Sequence, residues 1–299
     1  MILLLELGLV FFHLLAWVAV GHALLTKRDP RSALGWSVVV LFMPVVGVIA
    51  YAIFGIGRTE SRAAAIMRHN AALAPGYTHP ALGTKVPEQI PEQIRHMEML
   101  GRHLTQQHLC GGNSIEPLVN GNEAYPAMLE AIRRAKDHVY LLTYIFNSGE
   151  VADSFAKELT AAVQRGVDVR ILLDGLGRFY SFRTPVRKIA KAGARVAYFL
   201  PPRLFPPNLM INLRDHRKLL VCDDVAFTGG MNIADYHVVL PGRRHCVQDM
   251  QFCCQGPITR ELRRAFLMDW GFATGKYDTA LPERSPERVG RSLCRIVMD

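Results

Sequence analysis

His216 and Lys218 stand one residue apart, Asp223 follows, and Gly229-Gly230-Met231-Asn232 comes after it. An imidazole can attack phosphorus and carry protons near neutral pH. An ammonium and a carboxamide can hold phosphate oxygens. Leu219 to Cys222 and Val225 to Thr228 are short apolar runs of β character, with Asp223-Asp224 as turn chemistry between them. His216 and Lys218 thus enter a strand on one face. The return of the hairpin delivers Gly229-Gly230, where bare backbone lets a ligand approach, and then Asn232. A lone His-x-Lys reads as solvated strand residues. The Asp at its offset and the GGxN closing a hairpin set this stretch apart.

HRK-x4-D followed by GGMN resembles the HKD motif of the phospholipase D superfamily. Arg214 and the continuation FTGGMNIADY are most similar to bacterial cardiolipin synthases. The turn after Asp223 is one residue shorter than that family's usual spacing. The resemblance implies an α/β fold: a phospholipase D-like mixed sheet flanked by helices, preceded by a two-helix transmembrane hairpin. It implies His216 as nucleophile, Lys218 and Asn232 as phosphate ligands, and Arg214, Gly229 and Gly230 as substrate-binding. Asp223 is a motif member of structural character. Asp249, in HCVQDMQF, is the candidate acceptor that orients His216. The implied reaction transfers a phosphatidyl group from one phosphatidylglycerol to another and needs no metal or cofactor. A second histidine, from a second HKD motif, protonates the leaving alcohol.

Only one His-x-Lys pair fits, and Arg291 to Asp299 resembles the first strand of the family's second half. The expectation is a synthase truncated to its first catalytic half. The alternatives are a single-motif phosphodiesterase or nuclease acting as a homodimer, and a non-catalytic half that binds anionic lipid or pairs with a second HKD-bearing half.

Composition bounds the partners. The 299 residues carry a formal charge of +9, half are hydrophobic, and the mean hydropathy is positive. Such a chain favours anionic partners. The lipid reading makes phosphatidylglycerol the expected one and leaves nucleic acid unexpected. The six cysteines show no disulfide-scaffold spacing, and Cys253-Cys254 with His245-Cys246 fits no zinc pattern.

Ile2–Leu25 and Ala33–Ile56 are long apolar runs joined by TKRDPR, which predicts a membrane hairpin over residues 1–57. Lys27, Arg28 and Arg31 in the turn oppose Arg58, Arg62 and Arg68 beyond it, so charge leaves the orientation open. Free cysteines and the resemblance favour a multi-pass protein of the cell (inner) membrane with a cytoplasmic catalytic part. Residues 58–115 read as a linker containing a helix at Glu92–His108, with histidines in no ligand spacing. A helix at Pro126–Lys136, a β-α-β-α-β order from His138 to Phe199, the motif hairpin, a strand at Val247–Cys253 and a helix at Thr259–Thr274 make residues 116–278 the catalytic unit. Residues 279–299 are a tail. Pro201 to Leu213, rich in proline, forms one wall of the site, where Phe205, Leu209 and Met210 reach acyl chains or anchor the loop.

Overall fold

The structure, a computed structural model, describes residues 2–27, 29–55, 91–105, 107–177, 185–201, 215–242, 245–278 and 287–297, except the side chains of 2–5, 7 and 9. Arg214 and the expected wall at residues 202–213 lie outside them. The chain divides into two compact units, Met1–Ile66 and Met67–Asp299.

In the first unit, α1 (Ile2–Thr26) packs against α2 (Pro30–Phe42) and α3 (Pro44–Ala50), and a π-turn follows at Tyr51–Gly55. Asp29 caps α2 by accepting from Arg31 N–H and Ser32 N–H at 3.2 and 3.1 Å. Ala16, Val20, Ala23, Val40 and Tyr51 form the small core. A helical hairpin is present, but the expected membrane spans are not shown. Among the described residues no helix is long and apolar enough to cross a membrane. The second apolar run is divided, because Pro44 has no N–H to continue α2 and starts a new helix instead.

The second unit is built on one eight-stranded mixed sheet in the order β4-β3-β2-β5-β6-β7-β1-β8. The strands are β1 (Cys110–Val119), β2 (His138–Thr143), β3 (Asp168–Asp174), β4 (Arg195–Phe199), β5 (Leu219–Cys222), β6 (Val225–Gly229), β7 (Met250–Gln255) and β8 (Ser292–Cys294). β2, β3 and β4 run parallel, and every other pairing is antiparallel. Helices α5 (Asn120–Arg134), α6 (Glu150–Gln164) and α7 (Val186–Lys191) bury their apolar stripes with Leu141, Ile171, Leu220 and Phe227 on one face. Helix α8 (Ile258–Thr274) lays Phe266 and Trp270 against Leu142, Leu172 and Leu219 on the other. Each sheet residue therefore belongs to one of two cores by parity alone. Helix α4 (Glu92–Thr105) buries no residue and is held by Arg295, which ion-pairs with Glu98 at 2.7 Å.

Three expectations shift. The catalytic unit was expected to start at residue 116, yet β1 begins at Cys110 and lies between β7 and β8. The sequence from Cys110 to Val119 mixes glycine, asparagine and proline with few apolar residues, so its strand character comes from its neighbours. Helix α5 begins six residues before Pro126 because side chains hold its first turn. Glu123 accepts from Val119 N–H at 2.7 Å, and Asn122 exchanges two hydrogen bonds with Val239. The tail read as the start of another half contributes β8 to this same sheet.

Asp223 sits at the two-residue turn between β5 and β6 with φ 49°, a left-handed conformation that aspartate tolerates. Its carboxylate accepts from three backbone N–H groups, those of Lys136, Asp137 and His138, at 2.8, 3.1 and 2.9 Å. This ties the turn to the start of β2. Asp223→Ala is expected to lower unfolding free energy by about 1.5–3 kcal/mol, the range for hydrogen bonds to a charged group. Urea denaturation reads it directly, and an unchanged midpoint would count against this role.

Candidate active site

One end of the sheet collects the candidate groups. The C-terminal ends of β2, β3 and β6 and the starts of β5 and β7 all lie there, as the registers Leu142↔Leu219, Leu219↔Thr228 and Gly229↔Gln251 require. His216 and Lys218 precede β5, two residues apart and on the face of Leu220. The His216 ring packs on Tyr144, with centroids 4.4 Å apart. Lys218 Nζ lies 5.7 Å from the centroid of the same ring and donates to His216 O at 2.5 Å. Burial pushes the Lys218 ammonium below its ordinary pKa, while the carboxylates of Asp215 and Asp249 push it back up.

Asn232 arrives on the segment after β6, which zips against the chain beyond β2. Ile145 N–H donates to Asn232 Oδ1 at 3.1 Å, Ile233 N–H to Ile145 O at 3.1 Å, and Asn147 N–H to Ile233 O at 2.9 Å. The amide oxygen is thus spent on the fold, and Nδ2, 3.5 Å from Tyr236 Oη, is the end that can donate to a ligand. Tyr125 Oη donates to Asn232 O at 2.7 Å and fixes the same segment from below.

Asp249 lies just before β7. Its carboxylate accepts from Met250 N–H at 2.7 Å, and its backbone exchanges hydrogen bonds with Asn120. Among the described residues it makes no hydrogen bond to His216; the group in contact with that ring is Tyr144. The structure thus brings His216, Lys218, Asn232 and Asp249 to one end, and it does not bring Asp223 there. Four residues of β5 separate Asp223 from Lys218, about 13 Å of strand.

The glycines were expected to clear room for a ligand. A Cβ on Gly230 would collide with the Asp249 carboxylate, and one on Gly229 with Met250 O and the Gln251 side chain. In this structure their bareness makes room for the Asp249 carboxylate and for the start of β7. Gly177 has a similar place, since a Cβ there would strike the carbonyl of Tyr144.

Behind the motif lies a charged cluster that the sequence reading passed over. Arg217, the middle residue of HRK, donates from Nε and Nη2 to the two oxygens of Asp215, both at 2.9 Å. Its Nη2 also pairs with Asp269 of α8 at 2.8 Å. Asp215 N–H donates to Asp174 at the end of β3 at 3.3 Å. One guanidinium faces two carboxylates, so burial and the charge of Asp215 push the Asp269 carboxyl up to about 7.

Sequence reasoning also missed His237. It is 2% exposed, accepts from Asn232 N–H at 3.3 Å through Nε2, and lies 3.4 Å from Val247 O through Nδ1. Burial lowers its pKa, so it holds the asparagine segment as a neutral ring. The only signal for it was its place five residues after Asn232. Cys253 and Cys254 pack with opposite cores, and among the described residues no three His, Cys, Asp or Glu side chains group to hold a metal ion.

Residues 128–270, which hold every group above from Tyr144 to Asp269, match the family model described as the cardiolipin synthase PLD-like domain, and residues 14–55 match that of the phospholipase D-nuclease N-terminal region. Among curated relatives, the cardiolipin synthase of Oceanobacillus iheyensis is 28% identical over 275 residues, covering 90% of this chain and 57% of that protein. The major cardiolipin synthase ClsA of Bacillus subtilis is 26% identical over 291 residues, covering 93% and 59%. This chain therefore spans a little over half the length of these relatives. Among solved structures, a phospholipase D family member, Nuc from Salmonella typhimurium, is similar with a TM-score of 0.41 and 21% identity, covering 53% of this chain and 95% of that one.

Proposed function

We propose that this chain supplies the nucleophilic half of a phospholipase D-type phosphatidyltransferase of cardiolipin synthase type. The observation that carries this reading is the pairing of His216 and Lys218 on one strand face, against Tyr144 and beside Asn232 and Asp249. The His216 ring nitrogen attacks the phosphorus of phosphatidylglycerol, and the phosphorus–oxygen bond to the leaving glycerol breaks. Lys218 Nζ and Asn232 Nδ2 hold the phosphate oxygens as charge spreads onto them. A general acid gives the glycerol oxygen its proton; a second HKD motif, in a second copy or another half, supplies that acid. The hydroxyl of a second phosphatidylglycerol then gives its proton back to that same group, attacks the phosphohistidine, frees His216 and yields cardiolipin. Asp249, on the β7 side, favours the charged form of Lys218.

The hairpin unit supports a lipid setting. Phe11, Leu14, Trp17 and Val18 of α1 and Leu34, Val38 and Phe42 of α2 turn outward and exposed. An exposed apolar surface of this extent in a small helical unit fits bilayer hydrocarbon. The hairpin is thus proposed to anchor the chain in the cell membrane, with the site at the cytoplasmic surface. Alkaline carbonate extraction tests the anchor: the chain stays with the membrane pellet, and its release into the supernatant would refute membrane embedding.

The reaction is tested with the purified chain in phosphatidylglycerol vesicles, alone and with a second HKD-bearing half. Cardiolipin and free glycerol are expected in equal amounts, with a phosphatidyl mass on the peptide containing His216 after acid-free quenching. Lipid binding with neither product nor adduct in both arms would favour a non-catalytic half.

A further inference from the structure

The position of Gly229 joins two side chains that the sequence keeps far apart. Gly229 pairs with Gln251 on β7, and one step beyond Leu219↔Thr228 it stands opposite Lys218. Directly opposed residues of antiparallel neighbours share a face. Lys218, Gly229 and Gln251 therefore form one row, about 10 Å wide at two strand spacings. A Cβ at Gly229 would lie 2.5 Å from Gln251 Oε1. The carboxamide thus fills the slot above the glycine and crosses β6 toward Lys218. Gln251 is 1% exposed, and its Oε1 has no hydrogen-bond partner among the described residues.

A buried carbonyl oxygen of this kind is kept where a donor can reach it. The donor in the row is the Lys218 ammonium. It carries three protons, and one goes to His216 O. We infer that Gln251 is a positioning residue for Lys218: its Oε1, in the slot left by Gly229, accepts a second ammonium proton and steers the third toward a bound phosphate. This rests on the reading of Lys218 as a phosphate ligand. It also gives a reason for glycine at 229, since any side chain there would separate the two.

The groups that face Lys218 are Asp215 before β5, the Tyr144 ring after β2, and Asp249 and His237 beside β7. Removing an acceptor makes the charged ammonium less favourable, and adding a carboxylate makes it more so. The test is the titration of Lys218 followed by NMR on the full chain with biosynthetically ¹³Cε-labelled lysines, whose ammonium protons are unaltered, its signal assigned by Lys218→Arg. It is run with and without tungstate, a phosphate-like oxyanion. Gln251→Met is expected to lower the Lys218 midpoint by about 1 pH unit, and Gln251→Glu to raise it by about as much. Midpoints unmoved in both variants and both conditions would overturn the inference. If Gln251→Met does not fold, the wild-type chain decides: tungstate must shift the Gln251 carboxamide signal together with that of Lys218, and an unmoved carboxamide overturns the inference. If tungstate moves no Lys218 signal, the phosphate reading falls, while the variants without tungstate still decide the Gln251 contact.

Discussion

Replacing His216 with alanine is expected to abolish phosphatidyl transfer, by at least about 10³-fold in kcat, in whichever assembly shows turnover, this chain alone or with a second HKD-bearing half. The reason is chemical. The proposed reaction passes through a phosphorus–nitrogen bond, and among the described residues no other imidazole is placed to form it. His237 is buried, with Nε2 engaged by Asn232 N–H and Nδ1 beside Val247 O. The loss should appear with the fold intact, because the His216 ring meets Tyr144 at the site rather than either core. Cardiolipin formation from phosphatidylglycerol vesicles is the measurement, with thermal melting as control. Wild-type turnover by His216→Ala would end the phosphohistidine reading.

The second large effect is on stability. Arg217→Met is expected to cost on the order of 3 kcal/mol, the lower end for breaking a buried pair, because the arginine side chain is itself 40% exposed. The change strips Asp215, buried at the start of the motif, of both its guanidinium hydrogen bonds, and leaves Asp269 facing it without a cation. The same cluster predicts a pH dependence. The Asp269 carboxyl is raised to about 7 in the fold, so between the ordinary carboxylate range and neutrality the folded chain binds more protons than the unfolded one. Its contribution to stability is present at low pH and is lost as pH rises through about 7. Calorimetric melting at pH 5 and pH 8 should show this fall in the wild-type chain and a flatter profile in Asp269→Asn. Equal slopes would show that the carboxyl is not raised.

Much of the local geometry was legible in the sequence because it depends on near neighbours. His216 and Lys218 share a strand face through the two-residue period of a β-strand, and Asp223-Asp224 marks its own turn. Helices α6 and α8 and the parallel strands β2 to β4 announce themselves by apolar periodicity and by glycine stops such as Gly166, at φ 85°. What only the tertiary structure decided involves partners distant in the chain. β1 has little strand character of its own and becomes a strand because β7 and β8 offer it backbone partners. Asp223 reads as part of the motif, yet its carboxylate serves backbone N–H groups more than 80 residues earlier. Tyr144, Gln251 and Asp269 carry no motif. They reach the site because strand order places β2 and β7 on either side of the β5–β6 hairpin and α8 beneath it. Spacing along a chain reports which side chains share a face; which faces meet is set by pairing and burial summed over the whole sheet.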